Sequence, residues 1–459
     1  MKLILKIFLG LLISIPVKAI TRITCIGASI TYGATLKDPA TQSYPAQLQK
    51  LLGAGYTVSN FGVGSATMLR KGDLSYWNTQ AWQQALKSRP DVVFIDLGGN
   101  DSKLINRVYL NEYEHDYHDM IRSLAQLPSH PRIVLLLPIP AFVADTNQIN
   151  DKFIVNNIIP QIRQVAYDEH LEVIDLHSLF VNHEQLMPDK IHPDLQGTAI
   201  TAKRLFDLIV QPQDLSFDIF HKIKETYKTS NFYGYPCAEF TFDNRDSKVV
   251  KPKWSAKGHP WVWRARFWGH EPQTDIALLE RGFHIVYCDV AELLGNDEAI
   301  GYWNDFYKML NKAGLNKKAV LEGMSRGGIY IYNWTAINPG KVACVYADNA
   351  LLDLRYWPDT AILKKDYHLV YAGQIAALKA SPIDKVSQIV KGNYPMLHLS
   401  ADDDEAVDPS KNTLLFEQKI KALNGSITVL HKPGFKHHPH SLPNPTPIVE
   451  FILQATGFR

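Results

Sequence analysis

The stretch Ala319-Val320-Leu321-Glu322-Gly323-Met324-Ser325-Arg326-Gly327-Gly328 decides the fold of the second half of this 459-residue chain. A short apolar run ends in a turn with a serine between glycines, and Ile329 to Ile337 then has helical character. Strand, sharp turn and helix in that order read as a nucleophile elbow, where glycines permit close backbone passage and the serine oxygen stands at the strand's carboxyl end. A comparable serine lies far upstream, in Gly27-Ala28-Ser29-Ile30-Thr31, directly after the run Ile23 to Ile26.

Working outward from Ser29, short β-branched runs recur at Tyr56 to Phe61, Val92 to Leu97, Ile133 to Leu137 and Leu171 to Ile174, separated by segments of helical period. Such runs predict a parallel sheet covered on both faces. Sites in open parallel sheets gather at the carboxyl ends of strands. There the sequence places Ser29 after the first run, Gly62 to Ser65 after the second and Gly98-Gly99-Asn100-Asp101 after the third.

Over about residues 20 to 210 these blocks resemble the SGNH, or GDSL-type, hydrolases. The serine block has Ala28 where aspartate is usual, the Gly98 to Asp101 block is intact, and Asp189-Lys190-Ile191-His192-Pro193 matches the histidine block. In Asn60-Phe61-Gly62-Val63-Gly64-Ser65, Ser65 stands where that family's oxyanion glycine would align. The resemblance implies a flavodoxin-like, three-layer domain. Chemically, Ser29 needs a base, His192 can serve, and Asp189 three residues earlier can hold the imidazole tautomer. Oxyanion donors would be the Ser29 amide, the Gly64 or Ser65 amide, and the Asn100 side chain.

The second half predicts strands at Cys237 to Phe242, His284 to Val290, Ala319 to Glu322, Val342 to Tyr346, Met396 to Leu399 and Ile427 to His431. Asp402-Asp403-Asp404-Glu405-Ala406-Val407 follows one strand, and His437-His438-Pro439-His440 follows the next. Serine, aspartate and histidine in that order resemble the α/β-hydrolase superfamily, and most of all exported bacterial polysaccharide esterases. That family's Asp-Xaa-Xaa-Val pattern selects Asp404, with Asp402 as fallback, and its glycine turn before the histidine selects His437 over His438. The Arg326 amide is expected in the oxyanion hole. Its side chain either forms an ion pair holding the elbow or faces the pocket, supporting the developing oxyanion or a substrate carboxylate; a similar Ser-Arg pair in uronate esterases implies pectin- or glucuronate-bearing substrates. Arg264-Ala265-Arg266-Phe267-Trp268-Gly269-His270 is the candidate for the other oxyanion loop.

Between the halves, Gln211 to Asn231 is polar and predicts a connecting helix around Phe217 to Thr226, with the boundary near residue 213. Lys2 and Lys6, an apolar run from Ile7 to Ile15 and Val17-Lys18-Ala19 form a cleavable leader, too short to span a membrane. Removing it takes three lysines and no acid, moving the formal charge from +2 to −1. No basic stripe then argues for nucleic acid. The spacing of Cys25, Cys237, Cys288 and Cys344 demands no disulfide. The three histidines from His437 to His440 have no carboxylate or cysteine at ligand spacing, so neither metal nor cofactor is expected. Most of Trp261, Trp263, Trp268, Trp303, Trp334 and Trp357 read as core, with one or two available to stack on sugars.

The sequence therefore predicts a secreted or periplasmic α/β protein with a leader over 1–19, an SGNH domain over 20–212 and an α/β-hydrolase domain over 213–459. The expected activity is ester cleavage on an acylated poly- or oligosaccharide: acetyl groups in the first domain, and a second acetyl, methyl-uronate or aryl ester in the other. The alternative is one active esterase joined to a degenerate carbohydrate-binding module.

Overall fold

The computed structural model describes residues 20–458, so the expected leader lies outside the described residues. The first sheet contains β1 (Thr21–Gly27), β2 (Tyr56–Gly62), β3 (Val92–Asp96), β4 (Arg132–Leu136) and β5 (Glu172–Ile174), all parallel, in the order β2-β1-β3-β4-β5. Alternation along β3 assigns its residues to two cores. Val92 and Phe94 join Leu48, Ala202, Leu205 and Leu208 on one face; Val93 and Ile95 join Tyr117, Met120, Ile162 and Val165 on the other. Helices Tyr44–Leu52 and Leu195–Val210 cover the first face, and Tyr113–Ala125 and Ile159–Asp168 the second. The strand order reverses between β1 and β3, so the carboxyl ends of these neighbours flank the crevice where such sheets bind ligands.

The chain then forms β6 (Gln213–Asp214), β7 (Tyr227–Phe232), β8 (Tyr235–Phe242), β9 (Arg245–Val250), β10 (Ser255–Ala256), β11 (Trp261–Ala265), β12 (His284–Cys288), β13 (Ala319–Met324), β14 (Val342–Asp348), β15 (Met396–Ala401) and β16 (Ile427–Lys432). Nine of these make a mixed sheet ordered β16-β15-β14-β13-β11-β12-β9-β8-β7, and β6 pairs with β10 as a separate ribbon. From β12 through to β16 all neighbours run parallel; β9, β8 and β7 join antiparallel.

The expected connecting helix at Phe217 to Thr226 does not form. Asp218 caps a single 3-10 turn, Ile219–His221, and strand β7 begins at Tyr227. Ile219, Phe220 and Ile223 sink into the core of the second sheet, so their apolar spacing serves a buried turn. Strands β7, β8 and β9 are joined by two-residue hairpins, Tyr233-Gly234 and Asp243-Asn244, whose residues all have positive φ, as type I′ turns require. The polar, half-exposed faces of β7 and β9 concealed them as strands.

One apolar cluster runs through both halves, joining Val165 and Val173 to Phe232, Tyr235, Cys237, Val250 and Ile276. Polar contacts cross the same seam. The Tyr235 hydroxyl donates to the Val173 carbonyl (3.1 Å), Arg204 pairs with Glu280 (2.9 Å), and the Asp175 amide donates to Glu280 (2.7 Å). All four cysteines are free and buried. Among the described residues no helix is long and apolar enough to cross a membrane.

Candidate active sites

Ser29 opens the short helix Ser29–Tyr32 immediately beyond β1. That turn fits because Gly27 and Gly62 carry no Cβ: one on Gly27 would lie 2.0 Å from Thr31 Oγ1, and one on Gly62 2.1 Å from the Tyr32 nitrogen. His192 Nε2 stands 2.8 Å from Ser29 Oγ, and its Nδ1 stands 2.6 Å from Asp189 Oδ2. The other Asp189 oxygen accepts the Ile191 and His192 amides at 3.0 and 2.7 Å. Partial burial alone would raise the Asp189 pKa, but the His192 ring and these amides outweigh it and hold the carboxyl below its usual range.

The Gly98 to Asp101 block organises the neighbouring loop. Asn100 donates from its side-chain amide to the Ala66 carbonyl (3.1 Å), and Asp101 accepts the Met68 and Leu69 amides (3.1 and 2.9 Å). One of the two Asn100 amide hydrogens is thus engaged in bracing the loop that carries Gly64 and Ser65. Ser65 adopts φ 63°, a conformation that favours glycine, which fits the expectation of a glycine at this position. The Ser29, Gly64 and Ser65 amides have no acceptor among the described residues. Beneath the serine turn, Asp96 accepts the Thr31 hydroxyl (2.9 Å), and burial pushes its pKa up to about 6; Asp101, also buried, is likewise raised to about 6.

In the second half Ser325 has φ 49°, the strained geometry of an elbow between β13 and helix Gly327–Ile337. A Cβ on Gly327 would meet the Ala265 carbonyl oxygen at 2.8 Å, and one on Gly328 would meet Ala350 at 2.7 Å. His437 Nε2 is 3.0 Å from Ser325 Oγ, and its Nδ1 is 2.7 Å from Asp404 Oδ2. Asp404 also accepts the Ala406 and Val407 amides at 2.9 and 2.8 Å. Asp402 instead pairs with His431 at the surface (2.8 Å). The structure therefore gathers Ser325, His437 and Asp404 and leaves Asp402 and His438 outside the relay.

Asp348, a residue the sequence did not single out, braces this site from two sides. Its carbonyl accepts the Ser325 amide (2.9 Å). Its carboxylate accepts the Ser441 amide (2.6 Å), contacts His440 Nδ1 (3.1 Å) and lies 3.4 Å from Lys432 Nζ, anchoring the histidine loop.

Three expectations change. Arg264 is not in a loop: it lies within β11, fully buried, paired with Asp275 (2.5 Å) and Glu322 (3.0 Å). Arg326 forms no ion pair among the described residues. Its guanidinium sits over the Phe267 ring (5.6 Å) and the Trp357 ring (5.2 Å), and burial, then Arg266, lowers its pKa. The histidine cluster does have a carboxylate nearby, because the fold brings His270 and Glu271 against His438. Trp261, Trp263, Trp303 and Trp334 are buried core residues, whereas Trp357 borders Arg326.

Residues 25–200 match the model of the GDSL-like Lipase/Acylhydrolase family. An acetylxylan esterase of Xylanibacter ruminicola is 43% identical over 212 residues, 42% of this chain and 43% of that protein, so the chain spans less than half the length of this curated relative. Among solved structures, a carbohydrate acetylesterase from Sinorhizobium meliloti is 18% identical with TM-score 0.34, covering 41% of this chain and 98% of that one. A puromycin-hydrolyzing peptidase of Mycobacterium tuberculosis is 13% identical with TM-score 0.39, covering 51% and 40%. The segment that holds the Ser29 relay, residues 25–200, is a GDSL-like acylhydrolase domain.

Proposed function

We propose that this chain is a secreted carbohydrate esterase with two acyl-transfer sites. Residues 20–212 remove acetyl groups from O-acetylated poly- or oligosaccharide through Ser29, His192 and Asp189. Residues 213–459, an α/β-hydrolase domain, cleave a second ester through Ser325, His437 and Asp404. The observation that carries this reading is the pair of separate serine-histidine-aspartate relays, each with both hydrogen bonds in place. Similarity to an acetylxylan esterase supports acetyl as the first acyl group, and the leader over residues 1–19 supports export.

In each site the histidine takes the serine proton as the oxygen attacks the ester carbonyl, and the aspartate stabilises the imidazolium that forms. The tetrahedral oxyanion meets the Ser29 amide, the Gly64 or Ser65 amide and the free Asn100 hydrogen in the first site, and the Arg326 amide in the second. Histidine then protonates the departing alkoxide oxygen, which leaves as the free alcohol, and water repeats the sequence to release the acid. At the second site the Arg326 guanidinium, without an ion-pair partner among the described residues and flanked by aromatic rings, suits an ester whose sugar carries negative charge.

Fluorophosphonate labelling followed by peptide mapping tests the reading: both Ser29 and Ser325 should be tagged. Release of acetate, methanol and hydroxycinnamate from native polysaccharides by Ser29→Ala and Ser325→Ala variants then assigns an ester to each site. Tagging of only one serine would leave a single esterase joined to a degenerate binding module.

A further inference from the structure

We infer that the rim of the second site holds a divalent transition-metal ion, zinc by its donor set, bound by His270, Glu271 and His438. His270 and Glu271 come from the loop after β11, and His438 from the loop after β16. Their candidate donor atoms all lie within 4.8 Å of one another. A tetrahedral zinc ion with bonds of about 2.1 Å needs donors about 3.4 Å apart. His270 Nε2 and Glu271 Oε1 already stand 3.5 Å apart, so one edge of that tetrahedron is in place. Glu271 Oε2 is buried without a hydrogen-bond partner among the described residues, a cost that a bound cation would remove by neutralising the carboxylate.

A competing trio, His437, His438 and His440, is equally close-set. It is the poorer site, because both His437 nitrogens are already engaged, one by Ser325 and one by Asp404, and His440 Nδ1 is held by Asp348. Two imidazoles and a carboxylate leave a fourth position open to water, a donor set that suits zinc. The ion ties together the two loops beside Ser325, and its binding stands whether or not Ser325 turns over an ester.

The test uses the full-length, tag-free protein after chelator treatment, titrated with Zn2+ alone by calorimetry and followed by thermal unfolding. Wild type should show a site whose occupancy raises the melting temperature. Glu271→Gln should weaken that site at least about tenfold while melting like wild type without zinc, and His438→Ala should weaken it similarly. His437→Ala should retain it. Identical isotherms for wild type and Glu271→Gln, or loss of the site only in His437→Ala, would overturn the inference.

Discussion

Replacing Asp189 with asparagine should lower Ser29-dependent turnover by about 10³- to 10⁴-fold with little effect on folding. Asp189 uses Oδ1 for the Ile191 and His192 amides and Oδ2 for His192 Nδ1. The asparagine carbonyl can keep the two amide bonds, which forces its NH2 group toward Nδ1. A donor there requires Nδ1 to be unprotonated, so the ring proton moves to Nε2, the atom 2.8 Å from Ser29 Oγ. The ring then donates to the serine when it should accept from it. At 1.36 kcal/mol per decade the loss corresponds to about 4 to 5.5 kcal/mol of transition-state stabilisation. The Asp189 side chain is 41% exposed, so the folding cost should stay near about 0.5 kcal/mol. The assay is kcat/KM on a small acetyl ester in a Ser325→Ala background, where only the first site can act. A folded variant within about tenfold of its parent would refute the tautomer argument.

Ser29→Ala should abolish acetate release from small acetyl esters while leaving Ser325-dependent turnover intact, and the two serine substitutions should combine additively; loss of activity on every ester in Ser325→Ala alone would defeat the assignment of the first site. Arg326→Lys should slow hydrolysis of a uronate ester at least about tenfold, roughly 1.4 kcal/mol, without lowering the melting temperature, because no ion pair is broken; equal kinetics would remove the side chain from substrate binding. The Asp96 pKa is raised in the folded state to about 6, so the native protein binds the extra proton. Its contribution to stability is full below the unfolded value near 3.8 and is lost as pH rises through about 6. Asp96→Asn should flatten the pH dependence of unfolding in that window, and an unchanged profile would count against it. Glu280→Ala leaves the buried Arg204 without its partner beside the half-buried Arg281, whose pKa desolvation and Arg204 already lower to about 9; denaturant unfolding should register a loss of about 3 to 5 kcal/mol.

The sequence made the strand ends legible because chemistry crowds there: Ser29, Asn100 and Ser325 all follow apolar runs that are strands, and local spacing placed Asp189 beside His192. The polar strands β7 and β9 escaped because an antiparallel strand needs only one apolar face. The Tyr233-Gly234 and Asp243-Asn244 turns were the available signal. Asp348 and Glu271 were hidden for another reason. Asp348 lies 92 residues from His440, its side-chain partner, and Glu271 meets His438 only through loops far apart in sequence. Arg264 misled because a charged side chain is rare inside a buried strand; only the fold reveals that Asp275 and Glu322 surround it.

The seam formed by Val173, Tyr235 and Glu280 gives the molecule the character of a caliper rather than a pair of beads on a string. Apolar surface, a buried ion pair and hydrogen bonds between side chains and backbone all cross it, so turning one lobe against the other would have to break all three. Under the proposed two-esterase function, a polymer held at one serine would be presented to the other without the roaming reach that a loose tether permits. The same seam means that cutting the gene near residue 213 would strip the cover from Val173 on one piece and Tyr235 on the other, so each lobe expressed alone should be sticky and prone to clump.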